Sequence, residues 1–302
     1  CKNNSVMDTT ETRHKGLLTG DDLATWSATI EKPCSYDYKN FTVCKTGPWG
    51  QGPVFLQQLA LLENYDLDSL DENSPEFVHL VVEATKLAFA DREAFYGDTN
   101  FNNVPMEMLL SKNYNKDRRK LITENDSMEV RPGIIAGFGG NVVVRPKGQT
   151  AESFSKFDIG EPTLARFDEP LPNSLGETKG DTTHFDIIDK WGNMIAGTPS
   201  GGWLQSSPII PNLGFCLSNR GQMFWLDEKS PACIGPKRRP RTTLSPSLAL
   251  KDGLPYMVFG TPGGDQQDQW SLHLFLRHIH FGLNLQEAID APGFSTAHFP
   301  NS

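Results

Sequence analysis

The feature that most constrains the fold is a change of character between residues 181 and 182. Residues 123–181 are rich in Gly, Pro, Ser, Asp and Glu and show little periodicity, which is typical of functional or flexible segments within a compact protein. From residue 182 the sequence alternates in the manner of a strand with one buried face. We therefore predict a mobile linker over residues 150–181 that ends where a core strand begins.

Other local patterns predict helices and strands in mixed order. The clearest helix begins at Ser74-Pro75 and runs to Phe95, because Ser is a good N-cap, Pro suits the first helical position, and apolar residues recur at helical spacing. Asp252-Gly253 predicts the turn of a hairpin. The remaining predicted helices end near Ser27 or cover residues 54–64 and 266–279, and the predicted strands cover residues 39–45, 182–189, 194–198, 247–250 and 256–260.

Composition and charge exclude several classes of protein. The chain has 302 residues, of which 37% are hydrophobic, so it can bury a core as one large domain or two ordinary ones. Its net charge of −9 argues against non-specific nucleic-acid binding. The one basic run, Lys237 to Arg241, is interpreted as a solvated turn. No stretch of 18 apolar residues occurs, so no transmembrane helix is predicted.

The cysteines and histidines show no ligand spacing. The five cysteines are widely spaced and form no CxxC motif, which argues against a disulfide scaffold and against a zinc module. Cys34 and Cys44 could bridge across a hairpin or remain free thiols. His278 and His280 lie two apart on a predicted helix and therefore on different faces. The sequence predicts no metal site, and it leaves open whether the protein is cytoplasmic or secreted.

Thr182 is a candidate nucleophile if it becomes a chain N-terminus. A hydroxyl needs a base beside it to attack an amide at neutral pH. An α-amine, with a pKa of about 7.7–8.0, can be that base. The hydroxyl would create this terminus by attacking its own preceding carbonyl and breaking the bond between Asp181 and Thr182. By itself, however, Thr-Thr is ordinary strand sequence, and His184 alone more often packs than catalyses.

Two further segments offer groups suited to acyl transfer. Gly263-Gly264 lies between a predicted strand and a predicted helix, where bare backbone N–H groups and the helix dipole can face a developing oxyanion. Thr242 and Thr243 follow Arg241, and hydroxyls beside a cation could hold a carboxylate. Taken alone, Gly263-Gly264 is more often a plain strand-to-helix turn, and the alternative for Thr242 and Thr243 is a β-edge turn with exposed hydroxyls.

Together and in order, these segments resemble the γ-glutamyltransferase family. Residues 182–193 resemble the start of its processed small subunit, and residues 260–264 resemble its Gly-Ser-Pro-Gly-Gly oxyanion turn. The variant segments 200–205 and 261–269 are similar to a divergent branch that includes cephalosporin-acylase-like proteins. Further matches are residues 236–246 to the Lys-Arg-Pro-hydroxyl-hydroxyl-x-Ser-Pro segment, 281–292 to the closing helix, and 16–23, 50–52 and 83–92 to the large subunit.

The resemblance implies an α+β fold, the four-layer αββα sandwich of N-terminal-nucleophile hydrolases. It implies that residues 1–181 are the C-terminal part of the large-subunit region and residues 182–302 the small-subunit region of one intertwined fold. The two subunits of the precursor would then be partners. Family members also carry a long N-terminal portion with a carboxylate-clamping Arg, so the sandwich is expected to be incomplete at the N-terminus here.

The resemblance also implies roles for individual residues. Thr182 would be both the processing residue, after Asp181, and the nucleophile. The N–H groups of Gly263 and Gly264 would form the oxyanion hole. No metal or organic cofactor is implied. The implied substrate-binding set comprises Thr242 and Thr243 as the paired hydroxyls for the substrate carboxylate, Thr198 and Ser200 in the places of threonines that support the nucleophile, and Arg220.

Two positions depart from the family pattern. Gly202 stands where an Asn commonly holds the glutamyl head, and Met223 stands where an acidic residue binds the substrate α-amine. The expected substrates are γ-glutamyl (glutathione-like) or related acyl amides, and the acceptor is water or an amino acid. Because of the two departures, we expect hydrolysis to be favoured over transpeptidation. The alternative is a non-catalytic truncated homologue that serves only as a binding or structural protein.

Overall fold

The computed structural model describes residues 5–7, 11–138, 182–201, 212, 214, 217–218 and 220–297. Asp181, Gly202 and the linker expected over residues 150–181 lie outside these residues, so those expectations stay predictions.

Helices and strands alternate irregularly along the described chain. The strands are β1 (Ser5–Met7), β2 (Arg13–Lys15), β3 (Cys34–Tyr38), β4 (Phe41–Lys45), β5 (Phe185–Ile188), β6 (Met194–Gly197), β7 (Ser247–Lys251) and β8 (Leu254–Phe259). The α-helices are α1 (Gly20–Thr25), α2 (Gly52–Leu62), α3 (Pro75–Phe95), α4 (Met106–Leu109), α5 (Lys112–Arg119), α6 (Gln267–His280) and α7 (Leu285–Asp290). Short 3-10 helices cover Leu67–Ser69 and Arg220–Met223.

An antiparallel sheet of four strands, in the order β3-β4-β7-β8, forms the framework. The predicted turn joins β7 to β8, with φ values of 50° at Asp252 and 79° at Gly253. The central pairing, with Val43 opposite Ala249, joins β4 to β7. Residues about two hundred positions apart therefore share one sheet, and neither part of the chain completes it alone.

Helices α2 and α6 pack against this sheet through aromatic rings. Phe55 of α2 lies 5.8 Å from Phe259 of β8 and 5.9 Å from Phe275 of α6, measured between ring centroids. The Phe259 and Phe275 rings stack at 5.8 Å. All three side chains are buried, and each buried side chain of this size contributes about 1.5–3 kcal/mol to folding. This cluster is the centre of the core.

Helix α3 follows its sequence signals closely. The Ser74 hydroxyl accepts a hydrogen bond from the Phe77 N–H at 3.2 Å, and Pro75 is the first helical residue, as predicted. The predicted helices near residues 54–64 and 266–279 are confirmed with shifted starts, as α2 and α6. The short α1 is also confirmed, and Thr19 caps it.

The segment after Thr182 forms a small separate sheet. β5 and β6 pair antiparallel, with Ile188 opposite Met194, and Gly192 (φ 84°) lies in the connecting turn. The expectation of a core strand is wrong for β5, because every residue of this strand is exposed. Among the described strands, β6 is its only hydrogen-bonded neighbour, so β5 is not part of the four-stranded sheet.

The β3–β4 hairpin corrects one local interpretation and decides another that was left open. The strand expected over residues 39–45 begins at Phe41, because Lys39 (φ 53°) lies in the turn that joins it to the unpredicted strand β3. Of the two alternatives for Cys34 and Cys44, the structure has free thiols, and Ser35 rather than Cys34 lies opposite Cys44.

The basic run is a solvated turn only in part: Lys237 is exposed in a turn, but two of its arginines form ion pairs. Arg239 pairs with Asp98 at 2.8 Å and also with Glu31. Arg241 is buried and pairs with Glu93 at 2.6 Å. Carboxylates from distant segments therefore neutralise cations that the local sequence places next to Pro and Thr. Within the described part of the chain, no helix is long and apolar enough to cross a membrane.

Buried His273 makes stability depend on pH. Burial, reinforced by the charge of Arg277, lowers its pKa from 6.5 to about 3. Between those values the unfolded chain binds a proton that the native state does not, so stability falls as the pH drops below about 6.5. We expect His273 to account for a loss of about 2 kcal/mol between pH 7 and pH 5.

Urea unfolding at both pH values, with His273→Leu as the comparison, checks this prediction. Between pH 7 and pH 5, His273→Leu should lose about 2 kcal/mol less stability than the unmodified protein. An identical loss in both proteins would contradict the prediction.

Candidate active site

Thr182 lies at the entrance to β5, next to the chain that leaves β6. The Thr183 N–H donates to the Pro199 carbonyl at 3.1 Å, which continues the hairpin past its last paired residues. This places the Thr182 hydroxyl beside Ser200, and it donates to the Ser200 hydroxyl oxygen at 3.0 Å. Two residues selected from sequence are therefore in direct contact.

Arg220 completes this cluster. It begins the second 3-10 helix, is largely buried, and donates from Nη2 to the Ser200 hydroxyl oxygen at 2.8 Å. A hydroxyl oxygen has two lone pairs, so Ser200 can accept from Thr182 and from Arg220 together. A guanidinium placed in this way can stabilise negative charge on a neighbouring oxygen.

His184 connects this cluster to the chain that follows β8. Its Nδ1 lies 2.8 Å from the Thr198 hydroxyl and its Nε2 lies 3.0 Å from Asp186. The imidazole ring lies directly against Gly260, where a Cβ atom would collide with it. The chain that runs from Thr182 into β5 therefore contacts the segment that leads into the Gly263-Gly264 turn. Thr198 orients His184, which makes this contact.

The Gly263-Gly264 turn joins β8 to α6. Gly263 has a φ of +115°, a conformation that favours glycine, and a Cβ there would lie 3.0 Å from the Trp270 ring. The Gly264 carbonyl accepts from the Gln267 N–H at 3.1 Å in the first turn of the helix. The turn therefore lies between a strand and a helix, as expected, and its role as an oxyanion hole stays a prediction.

A buried amide, Gln267, joins this turn to the paired hydroxyls. It donates from Nε2 to the Gly263 carbonyl, and it accepts at Oε1 from the Ser245 N–H at 3.1 Å. Its Nε2 also lies 3.5 Å from the Thr243 hydroxyl. Sequence reasoning missed Gln267, although it lies in the variant segment 261–269 that distinguishes this chain.

Arg92 holds the turn from the opposite side. This fully buried residue of α3 donates to Asp265 at 2.5 Å and to the Gln51 side chain at 2.7 Å. Gln51 in turn donates to the Gly264 carbonyl at 3.4 Å. Burial lowers the pKa of the guanidinium, but Asp265 and Glu93 raise it by more, so it stays charged.

The paired hydroxyls lie on a buried segment between the turn and the sheet. The Thr242 carbonyl accepts from the Gln51 N–H at 3.0 Å, and Thr242 and Thr243 are both buried. The neighbouring Ser245 hydroxyl donates to Asp268 at 2.6 Å, and Asp268 pairs with buried Lys45 at 2.9 Å. An ion pair with no exposed atoms therefore fixes this segment to both β4 and α6.

The structure thus groups the predicted residues into two clusters. Thr182, Ser200 and Arg220 form the first cluster. The second contains Thr243 and Gly263, which Gln267 joins. The contact between His184 and Gly260 links the two clusters. Met223 is buried in the same 3-10 helix as Arg220. The described residues contain no group of His, Cys, Asp and Glu side chains that could hold a metal ion.

A cavity of about 430 Å³ adjoins the turn, between α6 and α7. Gly260 and Thr261 form one wall, and Trp270, Leu274 and Ile289 contribute apolar surface. Pockets of this size with mostly apolar walls suit the apolar part of a small ligand.

Comparison with known proteins identifies related chains. A family model described as gamma-glutamyltranspeptidase matches residues 5–302. The glutathione hydrolase proenzyme of Bacillus subtilis (strain 168) is 29% identical over 93% of this chain and 44% of its own length.

Two solved structures are also similar. One named LmbA2991HD is 49% identical and covers 100% of this chain and 48% of its own, with a TM-score of 0.81. The cephalosporin acylase from Bacillus halodurans is 26% identical and covers 92% of this chain and 43% of its own, with a TM-score of 0.69. The chain therefore spans about half the length of these relatives.

Loss of the Arg92 charge should destabilise the protein strongly. We expect Arg92→Met to lower the free energy of unfolding by about 3–5 kcal/mol, because the buried carboxylates of Glu93 and Asp265 lose their shared partner. Chemical denaturation measures this loss. Lys120→Met, which breaks an exposed pair with Asp117, is the control and should leave stability unchanged; equal effects of the two substitutions would contradict the prediction.

Proposed function

Because the chain belongs to the gamma-glutamyltranspeptidase family, we propose that the protein is an acyl-transferring amide hydrolase with the Thr182 hydroxyl as nucleophile. The observation that carries this proposal is the hydrogen-bonded sequence from Thr182 through Ser200 to Arg220. These hydrogen bonds hold the Thr182 hydroxyl oxygen in place and put the positive charge of Arg220 on the far side of the Ser200 hydroxyl. A threonine with only a structural role would need neither the hydrogen bond to Ser200 nor the nearby cation.

The reaction begins once Thr182 is a chain end, after cleavage of the bond to Asp181. The free α-amine, with a pKa of about 7.7–8.0, takes the hydroxyl proton as the oxygen attacks the amide carbonyl. The N–H groups of Gly263 and Gly264 stabilise the oxyanion. The ammonium then protonates the departing amine, which leaves an ester on Thr182. Water or an amino acid resolves this ester and regenerates the hydroxyl.

Ser200 and Arg220 orient the nucleophile in this scheme. Ser200 fixes the rotamer of Thr182, since the bond between their oxygens is 3.0 Å long. Arg220 keeps a positive charge near the attacking oxygen. Neither group removes a proton, so both are positioning residues. Thr198 acts less directly than these two residues, because its hydroxyl holds His184 against Gly260.

The architecture proposed for the whole protein is the four-layer αββα sandwich of N-terminal-nucleophile hydrolases. The β3-β4-β7-β8 sheet with α2 and α6 supplies one sheet layer and one helix layer. Residues 1–181 and 182–302 would be large- and small-subunit regions that remain partners after cleavage. The β4–β7 pairing supports this arrangement, since it ties the two regions together across the cleavage point.

The proposed substrate class is γ-glutamyl or related acyl amides. The paired hydroxyls Thr242 and Thr243 are buried beside the oxyanion turn and suit a carboxylate on the acyl group. Met223, where relatives place an acid, offers no charge for an α-ammonium group. An unpaired, desolvated ammonium costs several kcal/mol of binding, so acyl groups without one are favoured.

A pair of chromogenic anilides tests this specificity. γ-Glutamyl and glutaryl anilides differ only in the α-ammonium group. We expect kcat/KM for the glutaryl anilide to equal or exceed that for the γ-glutamyl anilide, and Met223→Asp to shift the ratio toward γ-glutamyl. A strong γ-glutamyl preference in the unmodified protein would contradict this assignment.

Replacement of Thr182 tests the nucleophile. In the full-length protein, Thr182→Ala should leave the chain uncleaved in intact-mass analysis and lower amide hydrolysis by about 1000-fold or more, because both steps use the same hydroxyl. Thr182→Ser keeps a hydroxyl and should retain cleavage. An uncleaved Thr182→Ala chain with unchanged activity, or an unmodified protein without cleavage or activity, would favour the non-catalytic alternative.

A further inference from the structure

The amide of Gln267 has one fixed orientation. The side chain is 1% exposed and lies at the first residue of α6. The Ser245 N–H can only donate, so the amide oxygen must face it and the NH₂ group must face the Gly263 carbonyl. Rotation by half a turn would bring two donors together at Ser245 and two acceptors together at Gly263, so this orientation is locked.

The carbonyl that Gln267 holds belongs to the peptide whose N–H is on Gly264. A peptide unit is planar, with its C=O and N–H pointing in opposite directions. A donor fixed on the Gly263 carbonyl therefore also fixes the direction of the Gly264 N–H. Gly263 has no side chain to restrict rotation of this unit, so the restraint must come from outside the turn.

The same hydrogen bond changes the strength of the N–H donor. Hydrogen bonds in series polarise one another, and a bond accepted by the C=O makes the N–H of that peptide a better donor. The effect is larger in a buried setting, where no water competes. Gly264 is buried, and the amide that polarises its peptide is buried as well.

We propose that Gln267 is a positioning residue that aims and polarises the Gly263–Gly264 peptide for the oxyanion, and that it couples this peptide to the substrate-binding hydroxyl of Thr243. The proposal rests on the proposed function, because it assigns a task within that oxyanion hole. Gln51, to which Arg92 donates, holds the Gly264 carbonyl, which belongs to the following peptide. Gln267 donates to the Gly263 carbonyl itself.

Substitution by glutamate gives a test that a purely structural role would not satisfy. In Gln267→Glu, one carboxyl oxygen can still accept from Ser245, and the other donates to the Gly263 carbonyl only while protonated. Burial raises the pKa of such a carboxyl. As the pH rises, the variant loses its donor and gains a negative charge beside the oxyanion, so its kcat relative to the unmodified enzyme should fall.

Expected magnitudes follow from known oxyanion holes. Removing one direct donor lowers kcat by about 100- to 1000-fold, and Gln267 acts one peptide away, so we expect about a 10-fold loss. Gln267→Glu should lie near the unmodified kcat at about pH 5.5 and reach that loss by about pH 8.5. Gln267→Met, which can neither donate nor ionise, should show the loss at every pH. KM should change less than kcat in both variants.

Gln58→Glu is the matched control. Gln58 is also fully buried, but it bonds to Thr85 and to the carbonyls of Val54 and Asp268 rather than to the turn. The kcat of Gln58→Glu, relative to that of the unmodified enzyme, should not vary with pH. Circular dichroism and thermal unfolding of each variant confirm that the compared proteins are folded.

The outcomes separate the two proposals. If the unmodified enzyme needs Thr182 but the Gln267→Glu ratio is flat with pH, or Gln267→Met keeps the full kcat, the positioning role is wrong and the proposed function stands. If Thr182→Ala leaves hydrolysis unchanged, the proposed function itself fails.

Discussion

A buried guanidinium, that of Arg92, is the interaction on which the candidate site depends. It lies in α3 with no exposed atoms and bonds to Glu93, Asp265 and Gln51. A buried charge is tolerated only when its partners are well placed. The requirement to neutralise Arg92 therefore fixes the distance between α3 and the start of α6. Glu93 also accepts from Arg241, which extends the same constraint to the segment with the paired hydroxyls.

The turn that follows β8 is held by polar groups on both sides. Arg92 and Gln51 act from α3 and the start of α2, and Gln267 acts from α6. Glycine at position 263 allows the backbone to adopt its unusual φ, but it gives the turn no rigidity of its own. Buried hydrogen bonds from three separate segments supply that rigidity. A preorganised turn of this kind is what oxyanion stabilisation requires, because it need not reorganise during the reaction.

Local sequence predicted well the elements whose causes are local. Ser74 and Pro75 begin α3 because capping needs only neighbouring residues, and Asp252-Gly253 closes the β7–β8 hairpin because the turn needs positive φ at two adjacent positions. Strand β3 was missed although its partner β4 follows directly in the chain, because the helices that bury it, α2 and α6, come from elsewhere. Arg239 and Arg241 were misjudged for a similar reason, since the carboxylates that neutralise them lie far from them in sequence.

For the candidate site, the sequence determined which residues carry the chemistry, and the tertiary structure decided which of them lie in contact. Residue chemistry made Thr182 and the Gly263-Gly264 turn candidates, because such residue types carry nucleophilic and oxyanion chemistry wherever they lie, and the resemblance to the γ-glutamyltransferase family added Ser200 and Arg220. Only the fold showed that Arg220 reaches Thr182 through Ser200, and that Gln267 lies between the turn and the paired hydroxyls. Hydrogen bonds of about 3 Å between distant segments depend on how sheets and helices pack, and the local pattern of a chain does not encode that distance.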